Sequence, residues 1–217
     1  MDKRFDDVKI LIWDFDGTLY KPNPALFHKV REAEYRVIAE RMHWPKEKVI
    51  TEFNRVWPKL ARSATEAVAR IAGITTVEAA IEMESYYDRR PYLSHDRKLI
   101  GLFSKLSHFT HYLLVNGIRK RIEESLNVLG MPVSTFADIV TSESVGVNKP
   151  NPAGFKFILA KTTLPSSQHL MIGDRPAVDL APAKKLGMQT CLVWAKSSAA
   201  YVDVILPSVY DVANLLR

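Results

Sequence analysis

Short apolar runs recur along the chain, and helical segments separate them. Each run is brief, almost wholly apolar in its centre and rich in β-branched residues, which is typical of buried strands. The runs read VKILIW at 8–13, FTHYLLVNG at 109–117, ADIVTS at 137–142, HLMIGD at 169–174, MQTCLVW at 188–194 and VDVILP at 202–207. Strands that alternate with helices indicate a parallel sheet with right-handed crossovers. We therefore predict the fold class α/β, with a Rossmann-like parallel sheet core.

The stretch between the first and second runs has a different pattern. Apolar residues recur there at helical spacing over 25–42, 46–60, 64–72 and 76–88, and no strand is indicated. Prolines at 22, 24 and 91 interrupt the chain on either side of this stretch. We predict an inserted all-helical domain over 21–91 and a core domain formed by 1–20 and 92–217, with hinges near 20–24 and 90–94.

Composition excludes several classes of protein. The 217 residues are 47% hydrophobic, which is enough for a substantial core, and the net charge of +6 suits an anionic small molecule. No run of five or six Lys and Arg residues occurs, which argues against a nucleic-acid partner. We expect a cytoplasmic protein, because neither a signal-peptide pattern nor a membrane-length apolar run is present. We expect it to be a monomer or homodimer. The single Cys191 excludes a disulfide within the chain, and its apolar neighbours predict a buried thiol.

Polar residues follow several of the predicted strands at the point where each strand ends. They are Asp14, Asp16, Asn116, Gly117, Ser142, Glu143, Lys149, Asp174 and Asp179. Taken singly, an aspartate after a strand is usually a helix N-cap, and a lone lysine usually lies on the surface. Ligands of open parallel sheets bind at the carboxyl ends of the strands, however, so these side chains are expected to converge.

Converging carboxylates repel one another unless a cation neutralises them. An all-oxygen set of ligands from Asp14, Asp16 and Asp174 favours Mg²⁺, which proteins hold with a few carboxylates, water and substrate phosphate. Gly17 has no side chain and would let a phosphate approach the backbone. Lys149 would place positive charge beside a transferring group.

Three motifs carry a resemblance to a known family. DFDGTL at 14–19, NKPNPAGF at 148–155 and GDRPAVD at 173–179 resemble motifs I, III and IV of the haloacid dehalogenase superfamily, in the same order and across nearly the whole chain. The helical insert resembles the C1-type cap of that superfamily. With an acid at Asp16, the chain resembles the phosphatases of the superfamily rather than its dehalogenases. The dehalogenases lack an acid at that position and need no metal.

The resemblance implies a Mg²⁺-dependent phosphatase acting on a small phosphorylated substrate, with nucleotides and sugar phosphates among the candidates. It implies that Asp14 is the nucleophile and becomes an aspartyl phosphate, and that Asp16 protonates the leaving oxygen and then activates water. Lys149 would hold Asp14 and the phosphate, and Thr18 would orient Asp16. The implied metal ligands are Asp14, the Asp16 carbonyl, Asp174 and Asp179, the last directly or through water. The implied phosphate ligands are Gly17, Thr18, Asn116, Gly117 and Lys149.

The second strand departs from the family pattern. Relatives usually carry Ser or Thr before Asn-Gly, whereas LLVNG places Val115 at the hydroxyl position. Either the Asn116 amide binds the phosphate instead, or the site is impaired. Two alternatives therefore stay open, a catalytically weak ligand-binding protein and a phosphomutase that passes the phosphoryl group to a sugar. Trp44 and Trp57 are interpreted as packing residues of the insert, although either could face the pocket.

Overall fold

Six parallel strands form one sheet in the order β3-β2-β1-β4-β5-β6. The structure is a computed structural model that describes residues 3–60, 63–197 and 199–216. The strands are β1 (Ile10–Trp13), β2 (Thr110–Leu114), β3 (Asp138–Val140), β4 (His169–Gly173), β5 (Gln189–Val193) and β6 (Val204–Leu206). The predicted α/β class and parallel sheet are confirmed, and each strand lies within a run that the sequence indicates.

The central strand β1 is buried over its whole length because it has neighbours on both sides and layers on both faces. Trp13 pairs in register with Leu113 of β2 and with Ile172 of β4. Successive side chains of a strand point to opposite faces. Accordingly Leu11 and Trp13 belong to one hydrophobic cluster, and Ile10 and Ile12 belong to another. This alternation explains why the run is continuously apolar, as expected for a strand covered on both faces.

Helices follow the strands on both faces of the sheet. They are α5 (Arg97–Lys105), α6 (Arg119–Leu129), α7 (Ser142–Val145), α8 (Ala153–Thr162), α9 (Ala181–Lys185) and α10 (Val212–Leu215). Gly130 ends α6 with a φ of 79°, a left-handed conformation that favours glycine. The chain after β4 begins with a π-helical turn, Pro176–Leu180, and continues as α9. The four-residue α7 is too short to have been recognised by periodicity.

Four helices occupy the chain between β1 and β2, and we call them the helical insert. They are α1 (Pro24–Met42), α2 (Lys46–Val56), α3 (Ala64–Ala72) and α4 (Thr76–Ser85). Asn23 caps α1 through its side chain, and Thr75 and Glu78 form a capping box at the start of α4. No residue in the described part of this stretch pairs as a strand, as the sequence predicts.

The helical insert has a hydrophobic cluster of its own. Val37, Ile38, Val49 and Phe53 are its most buried large side chains, together with small residues of α3 and α4. Tyr87 packs against this cluster and also against the larger cluster of the sheet. No helix among the described residues is both long and apolar enough to cross a membrane.

Candidate active site

A cavity of about 490 Å³ lies between the carboxyl ends of the central strands and the helical insert. Asp16, Asn116, Asp174 and Arg175 line it from the sheet. The insert contributes Leu26, Phe27, Val30, Arg31, Glu34, Trp57, Met83, Tyr87 and Arg89, among others. The volume is in the range typical of pockets for small molecules. Of the two tryptophans whose position the sequence left open, Trp57 lines this cavity and Trp44 lies elsewhere.

Asp14 follows β1 directly and is held from two sides. Lys149 Nζ lies 2.6 Å from Asp14 Oδ1, and Thr18 Oγ1 donates to Asp14 Oδ2 at 3.0 Å. The residue is 2% exposed. Burial opposes ionisation of this carboxyl, but Lys149 and Arg175 hold its pKa below the ordinary value. Asp14 is therefore an ionised carboxylate in a fixed orientation, which is what a nucleophile requires.

Three carboxylates meet at this point. One oxygen each of Asp14, Asp174 and Asp179 lies within 4.8 Å of the others. Lys149 Nζ also lies 2.7 Å from Asp179 Oδ1, so one ammonium bridges two of the three acids. Asp14 is far from Asp174 and Asp179 in sequence. The three meet because they follow the carboxyl ends of β1 and β4, where polar residues were expected to converge.

The acids fit a divalent cation by their electrostatics as well as by their position. Burial raises the pKa of Asp174 to about 8. The charges of Asp14 and Asp179 act in the same direction, whereas Arg175 and Lys149 oppose the shift. Asp174 Oδ1 is buried and makes no hydrogen bond to any described residue. A buried carboxylate oxygen that lacks a partner and is repelled by other acids is what Mg²⁺ would stabilise.

Gly17 is required by the close approach of Asp174. Its φ is +78°, and a Cβ at this position would lie 2.6 Å from Asp174 Oδ2. Any other residue would therefore both strain the backbone and displace a carboxylate of the acidic group. From the sequence, we expected Gly17 to make room for a phosphate. In the structure, the group that occupies the space beside Gly17 is the Asp174 side chain.

The carboxylate of Asp16 is held by the helical insert. Arg89 Nε and Nη2 lie 2.9–3.1 Å from its two oxygens, and the Tyr20 hydroxyl also donates to it. Arg89 Nη2 donates in addition to Glu84 Oε1 at 2.8 Å. Arg89 and Glu84 are 4% and 3% exposed, so this ion pair is buried, whereas the Asp16 side chain is 27% exposed.

The expectation that Thr18 orients Asp16 is wrong. Residues 16–20 form a turn in which the amide of Leu19 donates to the carbonyl of Phe15. In such a turn, side chains four residues apart lie on the same side. Thr18 therefore meets Asp14, and Tyr20 meets Asp16.

Asn116 holds the backbone of Lys149. Its Nδ2 donates to the Lys149 carbonyl at 2.8 Å, and its Oδ1 accepts from the Lys149 amide at 2.7 Å. The preceding Val115 is 3% exposed and packs in the larger hydrophobic cluster. A Cβ on Gly117 would lie 2.7 Å from Glu84 Oε1, so this glycine makes room for the insert.

The sequence reasoning missed Arg89, Glu84 and Arg175. Arg89 stands in the run YYDRRPY, where adjacent charges usually indicate a solvated surface, and Arg90 beside it is indeed exposed. Arg175 Nε lies 3.8 Å from Asp174 Oδ1 and 3.9 Å from Asp179 Oδ2. Its position next to a motif aspartate was the one signal that could have identified it.

Comparison with known proteins agrees with this geometry. The sequence profile of the haloacid dehalogenase-like hydrolases matches residues 8–187. A glyceraldehyde 3-phosphate phosphatase of Methanocaldococcus jannaschii is 26% identical over 225 residues, covering 97% of each chain.

Solved structures share the fold. A phosphatase of the haloacid dehalogenase superfamily from Thermococcus onnurineus has a TM-score of 0.67 at 16% identity, covering 96% of this chain and 98% of that one. The putative hydrolase YfnB of Bacillus subtilis, in a magnesium-bound crystal form that reveals interdomain movement, has a TM-score of 0.64 at 18% identity, covering 97% and 99%. The match over residues 8–187 confirms the predicted superfamily and hydrolase class, and the chain belongs to the haloacid dehalogenase-like hydrolase family.

Proposed function

We propose that this chain is a Mg²⁺-dependent phosphatase that hydrolyses a small phosphorylated metabolite through phosphorylation of Asp14. The observation that carries the proposal is the buried Asp14 carboxylate, held by Lys149 and Thr18 beside two further acids. An ionised carboxylate next to the acids that line a cavity can attack phosphorus, and the nearby ammonium stabilises the charge that develops on the phosphoryl oxygens.

The proposed reaction has two steps. A carboxylate oxygen of Asp14 forms a bond to phosphorus while the ester bond breaks, and the departing alcohol oxygen takes a proton from Asp16. Asp16 then removes a proton from water, whose oxygen attacks phosphorus. The acyl-phosphate bond breaks, inorganic phosphate leaves, and the Asp14 carboxylate is regenerated.

Asp14, Asp174 and Asp179 would hold the metal together with the backbone carbonyl of Asp16. The metal would supply positive charge to the phosphoryl oxygens and offset the repulsion among the acids. Lys149 contacts both Asp14 and Asp179, and it keeps these two carboxylates oriented whichever ligands the metal takes.

We further propose that the helical insert acts as a cap domain over residues 21–91, with 1–20 and 92–217 as the core. Arg89 pairs with Asp16 in the arrangement observed. Asp16 can protonate a leaving oxygen only when Arg89 no longer occupies both of its oxygens. Movement of the insert at the two chain crossings, 20–24 and 90–94, would release Asp16 and admit substrate.

The substrate to test first is glyceraldehyde 3-phosphate, because relatives that align along most of the chain carry that activity in their names. Other sugar phosphates and nucleotides complete the panel. The net charge of +6 and the cavity of about 490 Å³ suit a small anionic ester.

We expect the purified protein to release phosphate from an aryl phosphate with Mg²⁺ and to lose this activity when the metal is chelated. The physical reason is the repulsion among Asp14, Asp174 and Asp179, which a cation must offset before a phosphate can enter. Phosphate release is measured with and without excess chelator, and added Mg²⁺ should restore it. Undiminished activity in excess chelator would contradict the metal assignment.

We expect Asp14→Asn to abolish turnover, because the amide cannot act as the nucleophile. Asp16→Asn should still allow slow phosphorylation of Asp14, since the nucleophile remains. Mass spectrometry of the acid-quenched Asp16→Asn protein should place the phosphoryl group on Asp14. Phosphorylation of another residue would overturn the mechanism. A protein that binds phosphate esters but is never phosphorylated would instead support the ligand-binding alternative.

A further inference from the structure

The wall of the cavity contributed by the helical insert contains an unusual polar group of side chains. Arg31 and Glu34 of α1 line it, as does Trp57 directly after α2. We call these three residues the insert triad. None of them contacts Asp14 or Lys149 through a hydrogen bond that the structure describes. Their position therefore assigns them to the part of a substrate that lies beyond the phosphoryl group.

Three buried polar atoms of the insert triad make no hydrogen bond to a described residue. Trp57 Nε1, Glu34 Oε2 and Arg31 Nη1 are buried, yet none makes a hydrogen bond to a described residue. Arg31 Nη1 and Glu34 Oε2 lie 3.0 Å apart as an ion pair, but without hydrogen-bond alignment. Glu34 is only 3% exposed, and burial raises its pKa to about 7 against the opposing charge of Arg31. Buried polar atoms are normally hydrogen-bonded. The Trp57 N–H has no partner among the described residues, and the neighbouring Arg31–Glu34 ion pair lacks hydrogen-bond alignment. Together in one cavity wall, these atoms point to a ligand.

A purely structural role for the pair would leave this observation unexplained. A buried ion pair that only stabilises the insert is expected to satisfy its own hydrogen bonds, since each unmet one is costly. The triad is also rigid. The guanidinium of Arg31 lies 4.4 Å from the ring centroids of both Phe53 and Trp57, and these two rings are stacked at 5.8 Å. Atoms held in this way are preorganised for binding.

The neighbouring wall of the cavity is apolar. Leu26, Phe27 and Val30 of α1 and Met83 of α4 line it. The spacing of Leu26, Phe27 and Val30 along α1 places them on the helix face that also carries Arg31 and Glu34. This surface suits a short carbon chain, and the triad suits a polar substituent on that chain.

We propose that Glu34 and Trp57 form a specificity subsite that recognises a hydroxyl group on the alcohol part of the substrate. A hydroxyl is the substituent that both donates and accepts, so it can donate to the Glu34 carboxylate and accept from the indole N–H. The substrate class is then a phosphate ester of a short polyhydroxylated chain. This inference rests on the proposed phosphatase function and specifies its substrate.

The test compares glycerol 1-phosphate with propyl phosphate, which has the same carbon chain without hydroxyl groups. We expect wild-type kcat/KM to favour glycerol 1-phosphate by about tenfold or more, since a subsite built for a hydroxyl rejects the analogue that lacks it. Trp57→Phe keeps an aromatic ring beside Phe53 and Arg31 but removes the donor. It should lower the ratio of the two kcat/KM values about fivefold, the equivalent of one lost hydrogen bond.

The matched control is Trp44→Phe, which makes the same chemical change elsewhere in the insert. Trp44 lies against Lys48 and outside the cavity, so its replacement should leave the ratio unchanged. Glu34→Gln is a second test variant and should also reduce the ratio. Equal wild-type kcat/KM values for the two esters would overturn the subsite. So would a Trp57→Phe variant that loses activity equally on both, because that result indicates a structural role.

Failure of the proposed phosphatase function would give a different result. The wild-type protein would then hydrolyse neither ester, and the subsite is tested by calorimetric binding to the Asp14→Asn protein with Mg²⁺. Tighter binding of glycerol 1-phosphate than of propyl phosphate, with the difference lost in Asp14→Asn/Trp57→Phe, would support the subsite alone. Equal binding of the two esters would overturn it.

Discussion

The Asn116 side chain contacts the backbone of Lys149 and makes no described hydrogen bond to the site aspartates. Both of its polar atoms bind the backbone of Lys149, whose ammonium reaches Asp14 and Asp179. The amide therefore fixes the point from which the lysine side chain extends. We infer a positioning role for Asn116, whose side chain also lines the cavity.

We expect Asn116→Ala to lower kcat/KM about thirtyfold, the equivalent of two hydrogen bonds at about 1 kcal/mol each. Asn116→Asp keeps the acceptor for the Lys149 amide and loses the donor, so its activity should be intermediate. Steady-state kinetics on an aryl phosphate with Mg²⁺ measures both variants. The exposed Asn127→Ala is the matched control. Wild-type activity in Asn116→Ala would show that Lys149 does not depend on this contact.

Sequence reasoning located the acids and the lysine but not all of their partners. Asp14, Lys149, Asp174 and Asp179 could be predicted because each follows a strand and the strands end at one edge of the sheet. Partners of a side chain could not be predicted in the same way. Whether Thr18 meets Asp14 or Asp16 depends on the shape of a short turn. Likewise, Val115 could be identified as a departure from the family, but its packing in the hydrophobic cluster is a tertiary fact.

Two histidines are buried in the sheet, His111 in β2 and His169 in β4. Trp13 Nε1 donates to His111 Nδ1 at 3.1 Å, so His111 Nε2 carries the proton that Leu106 accepts at 3.0 Å. His169 Nδ1 lies 3.0 Å from the carbonyl oxygen of Pro165, and its Nε2 lies 2.8 Å from the Thr162 hydroxyl. Burial lowers the pKa of both histidines below the ordinary value of 6.5. Both are therefore neutral in the folded protein at neutral pH.

The contribution of these two histidines to stability should consequently fall as the pH drops below about 6.5, whereas the raised pKa values of Asp174 and Glu34 act in the opposite direction. The unfolded chain binds a proton at each histidine more readily than the folded one, so acid favours unfolding until the lowered pKa is passed. We expect the free energy of unfolding in urea to decrease less between about pH 7 and about pH 5.5 in His169→Asn than in the wild type. The control variant is His28→Asn, which makes the same substitution at an exposed position of α1. An unchanged slope in His169→Asn would contradict the assignment.

Elements with strong end signals were predicted most accurately. The start of α4 at a capping box and the end of α3 at Gly73 coincide with the sequence-based boundaries. The π-helical turn Pro176–Leu180 was not predicted from the sequence. It carries Asp179, which packs directly against Gly173 at the end of β4. A Cβ on Gly173 would lie 2.7 Å from that of Asp179. Such a close approach between a strand and the next helix has no local signature.

Across the whole molecule, one buried network joins the helical insert to the end of the sheet. Arg89 links Glu84 at the end of α4 to Asp16 after β1, and Gly117 leaves the space that Glu84 occupies. Burial opposes ionisation of Glu84 and raises its pKa, while Arg89 opposes that shift. In the arrangement observed, Arg89 therefore supplies the positive charge between Glu84 and Asp16.

We expect Arg89→Gln to open the insert, because it leaves Glu84 buried without its cation, a loss of about 3 kcal/mol. Hydrogen–deuterium exchange should then accelerate by more than about tenfold at the chain crossings 20–24 and 90–94, with little change in β1 and β4. Arg90→Gln, an exposed arginine paired with Asp88, is the matched control and should exchange like the wild type. Equal protection of the crossings in both variants would exclude a mobile insert.

The separate hydrophobic cluster of the helical insert has a thermodynamic consequence. Tyr87 packs against both clusters and Leu26 of α1 belongs to the cluster of the sheet, but the insert also has a core of its own around Phe53. Denaturant should therefore melt the insert and the sheet at different concentrations, and the transition of the entire chain would be broader than a two-state one. A linear extrapolation through such a transition would return too shallow a slope, and it would understate the stability of the sheet that carries the aspartates.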